Sequence, residues 1–80
     1  MSLDENREEA LRLIARLSRQ ENQILAGLTN GRSITSIAAA LSIALHEAEH
    51  ARHVLMEKLS ARTTADAVRI GIYANVPWPH

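Results

Sequence analysis

The chain has 80 residues, room for one small domain with at most a short terminal extension. Apolar residues make up 46%, enough for a packed core, and with no Phe they are mostly Ala, Leu and Ile, which suits close-packed helices better than a sheet. Nine basic and nine acidic side chains cancel, the absence of Cys excludes disulfides and thiolate zinc sites, and no run approaches the ~20 apolar residues of a membrane span.

Residues 3–16 predict an amphipathic helix. Leu3, Ala10, Leu11, Ile14 and Leu17 fall on one stripe, while Glu5, Glu8, Glu9, Arg12 and Arg16 take the rest. Glu8/Arg12 and Glu9/Arg16 are the expected charge pairs, and acids before bases complement the helix dipole. Such a helix can pack on the domain that follows, form a seam with a second copy, or link to another domain. Its charged, amphipathic character is not that of a secretory signal, so a cytoplasmic location is expected.

Residues 18–29 predict the next helix. Ser18-x-x-Glu21 is a capping box, Ile24, Leu25 and Leu28 form the buried stripe, and Gly31 suits the left-handed residue after a helix end. Ser33 caps a short helix to about residue 40 that buries Ile34, Ile37, Ala38 and Leu41. Residues 41–44 make a tight turn. A long helix starts at residue 44 or 45 and runs to about 60, with Ala48, Ala51, Leu55 and Leu59 facing inward. Thr63-x-x-Asp66 is a second capping box, opening a last helix to about residue 74 in which Ile72 and Tyr73 leave apolar surface exposed. The Pro-flanked segment 76–80 is a tail, whose Trp78 either packs back on the domain or stacks in a partner's groove. The reading is all-α: a helix over 1–16, a helix-turn-helix domain over 17–75 and a tail over 76–80.

The spacing Leu17-x-x-x-Glu21-x-x-Ile24-Leu25, Gly31-x-Ser33-x-x-x-Ile37-Ala38-x-x-Leu41-x-Ile43 and Leu55-x-x-Lys58-Leu59, continued through residues 60–69, resembles the LuxR/FixJ-type helix-turn-helix domain of bacterial transcription regulators. The resemblance spans roughly residues 17–74. It implies a four-helix domain whose third helix enters the major groove of double-stranded DNA and whose last helix dimerises. It also locates the departures. Ile34 and Thr35 stand where the family often has Asn and a basic residue, and Glu47 where it usually has a Thr that contacts phosphate. Ala48 and Ala51 stand at its usual Val and His, and bases are read from the positions of Glu49, His50 and His53.

Within residues 43–59 two fixed cations, Arg52 and Lys58, face three acids, Glu47, Glu49 and Glu57. Small DNA-binding domains ordinarily carry a basic excess, so two readings stand. In the first, the chain is a dimeric regulator. Glu49 reads a cytosine amino group and His50 or His53 a guanine edge, while Arg19, Arg32, Arg52, Lys58 and the helix N-terminus at Ser33 take phosphates, with Thr35 and His46 also on the nucleic-acid-binding side. In the second, the chain has lost DNA and modulates another transcription regulator or an RNA polymerase subunit.

His46-Glu47-Ala48-Glu49-His50 also matches the H-E-x-x-H pattern of zinc proteases. Imidazoles at i, i+4 and i+7 share one helix face, a geometry open to Zn²⁺, Ni²⁺ or Cu²⁺. The protease reading fails because it needs a third ligand, an edge strand and a cleft. No phosphate-binding loop or nucleophile elbow occurs either, so neither an enzyme nor a cofactor or metal is expected.

Overall fold

A computed structural model describes residues 3–75, with side chains from Glu5 onward. Five helices follow one another: α1 (Leu3–Ile14), α2 (Arg19–Thr29), α3 (Ile34–Leu41), α4 (Leu45–Leu59) and α5 (Thr64–Ala74). There is no strand among the described residues. The expected side chain of Leu3 and the 76–80 tail with Trp78 lie outside what is described.

The helix ends follow from local chemistry. At the start of α2 the Glu21 amide donates to Ser18 Oγ at 3.1 Å and the Ser18 amide donates to Glu21 Oε1 at 2.8 Å, a complete capping box. At its end Gly31 takes φ +79°, and the Arg32 amide reaches back to the Gly27 carbonyl at 3.0 Å, which satisfies a carbonyl the helix leaves open. The same closing turn ends α3 and α4, with Ser42 and Ser60 in the left-handed position. Ser33 caps α3 through the Ser36 amide at 3.1 Å. The box at α5 is only half made. Thr63 Oγ1 accepts from the Asp66 amide, but the Asp66 carboxylate accepts from the Arg62 amide at 3.2 Å instead of from Thr63.

The core is built around α2, which packs against α3, α4 and α5. Ile24, Leu25, Ile37 and Leu55 are fully buried, each worth roughly 1.5–3 kcal/mol relative to exposure. Leu17, Leu28, Ala51, Leu59 and Ala67 complete the cluster, and Ile34 and Leu41, expected inside, are half-buried at its edge. α2 and α5 approach closely at Gly71, where a Cβ would run into the Thr29 hydroxyl.

α1 packs chiefly on α5. It ends at Ile14, short of the expected residue 16. The chain then tightens into i→i+3 bonds from the Arg16 and Leu17 amides to Leu13 and Ile14, which delivers Leu17 into the core and Ser18 to its cap. The inner stripe also needs correction. Ala10 is buried and Leu13 and Ile14 pack on the core, whereas Leu11 is 42% exposed. One residue on from Ala10, Leu11 is turned about 100° around the helix, while Leu13, Ile14 and Leu17 share Ala10's side at i+3, i+4 and i+7. The charge pairing differs too. Arg12 joins Glu9 at 2.7 Å, three residues back, rather than Glu8 four back, and that contact raises the Arg12 pKa.

Candidate nucleic-acid interface

α3, the turn at residues 42–44 and α4 form the helix-turn-helix. Ser42 at φ +58° reverses the chain, and the Ile43 amide bonds the Ala38 carbonyl at 3.0 Å, which fixes how α4 leaves α3. Ala48, Ala51, Leu55 and Leu59 anchor the inner side of α4. Helical period then places His46, Glu47, Glu49, His50 and His53 outward, and all five are exposed.

The sequence-derived contact residues fall into three groups. Ser33 and Thr35 are exposed on the first turn of α3, preceded by half-buried Arg32, whose Nη1 donates to Ser36 Oγ at 3.4 Å. His46, Glu49, His50 and His53 share the outward face of α4. His53 Nε2 lies 3.1 Å from Glu57 Oε1 on the exposed side of the helix. Arg52 and Lys58 are the two cations of α4. Arg52 is half-buried, and Lys58 Nζ reaches Glu21 Oε1 at 2.8 Å, tying the end of α4 to the start of α2.

Two contacts were not readable from the chain. Glu21 is 8% exposed and serves both the capping box and Lys58. Burial alone would push its pKa up, but the Lys58 ammonium and the Ser18 amide override this and hold it below the usual carboxylate range. Glu47 Oε2 accepts from Gln20 Nε2 at 3.1 Å, which steadies this carboxylate on the α2 side of α4. Glu21 was marked in advance by its place in the capping box and Glu47 by its place on a helix face, but neither mark names the distant partner. Exposed Leu45 at the first turn of α4 is a further element of the surface.

No three His, Asp or Glu side chains among the described residues converge to hold a metal ion. A groove of about 220 Å³ between α1, α5 and the turn at residues 60–61 shares no residue with this surface. It is smaller than the ~300 Å³ at which small-molecule sites begin. No described helix is long and apolar enough to cross a membrane.

A short helix, a left-handed turn and a longer helix with an exposed outer face, all held on a helical core, define the class of helix-turn-helix proteins. The family of bacterial regulatory proteins, luxR family, matches residues 15–70. The chain belongs to that family, whose domain is a DNA-binding regulatory module rather than an enzyme. No individual curated protein and no solved structure matches alongside it.

Proposed function

We propose that this chain is a small transcription regulator that binds double-stranded DNA through α4, as a homodimer in the bacterial cytoplasm. The observation that carries the reading is the outward face of α4, free of core duties and set on a helix-turn-helix of the luxR family. In this reading His46, Glu49, His50 and His53 meet base edges, while Arg32, Ser33, Thr35 and Arg52 meet the backbone. Lys58 acts mainly from behind, by holding α4 on α2 through Glu21. The homodimer is supported by Ile72, 61% exposed on α5, and Leu11, 42% exposed on α1. A sedimentation measurement giving a monomer at every concentration removes the dimer but leaves DNA binding intact.

The test is selection from a random-sequence duplex pool, followed by titration of the enriched duplex at two salt concentrations. Phosphate contacts release counterions, so a steep loss of affinity with salt is expected. Failure to enrich any duplex overturns the reading.

A second reading rests on the charge of the same face. Glu47 and Glu49 are exposed beside Leu45, Ala39, Ala40 and Ala44, a mildly apolar and acidic surface unlike that of most duplex binders. This suits an interaction module that modulates another regulator or RNA polymerase. Such a module keeps its protein partner at high salt and ignores duplex.

A further inference from the structure

The outward stripe of α4 carries His46, His50 and His53 at i, i+4 and i+7, all exposed. Over residues 43–59 the fixed charges are two cations against three acids, and one of the cations, Lys58, is already engaged by Glu21 at 2.8 Å. With neutral imidazoles, this face meets a polyanion with its carboxylates in excess. Protonation of the three imidazoles turns two cations against three acids into five against three. We propose that duplex binding by α4 is proton-coupled through His46, His50 and His53, so that the protein grips DNA on mild acidification and releases it as pH rises. This rests on the duplex-binding reading above and supplies its regulation.

The surroundings leave the imidazoles as the groups able to change charge on this face near neutrality. α3 has no ionisable side chain. α2 brings Arg19 and Glu21, the latter buried against Lys58, and Gln20, whose amide nitrogen holds Glu47. From the more lightly packed α1 and α5 come Glu5, Arg7, Glu8 and the pairs Glu9–Arg12 and Asp66–Arg69, each pair closed within its own helix. Arg16, Arg32 and Arg62 lie in the connecting segments. On α4 itself Glu49 and Arg52 lie within a turn of the imidazoles, and Glu57 sits 3.1 Å from His53 Nε2. Part of the positive charge gained by His53 is therefore spent on Glu57, and His46 and His50 carry the larger share of the linkage.

The sign follows from linkage. An imidazole gains its proton near pH ~6.5, and a phosphate nearby favours the charged form, so protons are taken up on binding. Affinity then falls as pH rises through that range. Several coupled imidazoles give a change on the order of tenfold or more between about pH 8 and pH 6.

The test uses the full chain and the duplex enriched in the selection described above. Fluorescence anisotropy at constant ionic strength is recorded from about pH 8 to about pH 6, with circular dichroism at each point to confirm the fold. The triple variant His46→Gln, His50→Gln, His53→Gln is titrated in parallel; its changes are exposed and leave the core untouched. The expected result is an affinity that rises on acidification in the wild type and a weaker binding without pH dependence in the triple variant; should that variant lose binding altogether, wild-type calorimetry at mildly acidic pH in two buffers of different ionisation enthalpy decides, net proton uptake on binding being the expected result and none overturning the coupling. A wild type that binds with flat pH dependence overturns the coupling while leaving duplex binding in place. A triple variant that keeps the slope overturns the assignment to these imidazoles. Absence of duplex binding at every pH overturns both readings together.

Discussion

Ser60 and Ser42 sit at φ +55° and +58°, where an L side chain is strained and glycine is not. Gly31 holds the equivalent place after α2 and Asn75 (φ +56°) after α5, so at its helix ends the chain uses glycine once, asparagine once and serine twice. Ser60→Gly lies away from the proposed duplex-facing surface and is expected to raise stability by about 0.5–1 kcal/mol, relief of strain outweighing the added freedom of the unfolded chain. Thermal denaturation of the single variant checks this. Glu21 is the opposite case, a polar side chain whose burial is made tolerable by two partners. Glu21→Gln leaves Lys58 facing an amide and is expected to cost about 1–2 kcal/mol. That is less than the ~3–5 kcal/mol for breaking a fully buried pair, because the Lys58 side chain is 37% exposed. Since folding lowers the Glu21 pKa, its contribution is complete above the unfolded carboxylate value and is lost as pH falls through the lowered one. An acid titration of stability is expected to lose that component in Glu21→Gln, and identical acid profiles for the two proteins would contradict it.

At the scale of elements, most of the fold was legible because helix starts are written in side chains. Ser18, Ser33 and Thr63 each cap a helix where the chain says one begins. The start of α4 was left between residues 44 and 45 for the same reason in reverse: Ala44 is its N-cap and has no side chain to accept a bond. The outward face of α4 was equally legible, because fixing Ala48, Ala51, Leu55 and Leu59 inward fixes the rest outward. What escaped were contacts between distant segments. Gln20–Glu47 spans 27 residues and Glu21–Lys58 spans 37, and no local pattern encodes which acid meets which donor. The closeness of α2 and α5 escaped too, since Gly71 inside a helix gave no hint that Thr29 lies against it. Gly71→Ala is expected to cost on the order of 1–3 kcal/mol by overpacking, despite alanine's better helix propensity. Pairing it with Thr29→Ala is expected to recover part of that loss. A double-mutant cycle with no coupling between the two sites would show that the helices do not meet there.

For the whole molecule, the scaffold and the surface answer to different constraints. A greasy interior centred on Ile24, Leu25, Ile37 and Leu55 sets the helix-turn-helix geometry, and nothing in it depends on the charge of α4's outer face. That face is then free to carry carboxylates and imidazoles in place of a basic stripe, with zero net charge over the chain. Long-range attraction to a polyanion is correspondingly weak at neutral pH, so the proposed duplex binding has to draw on short-range contacts at α4 and the first turn of α3. The most direct measurement of this central claim is amide chemical-shift mapping of the full chain titrated with the selected duplex at mildly acidic pH. Perturbations concentrated at residues 32–35 and 46–53 are expected, with the exposed side of α1 unmoved. Perturbations confined to α1 and α5, or none at saturating duplex, would contradict it.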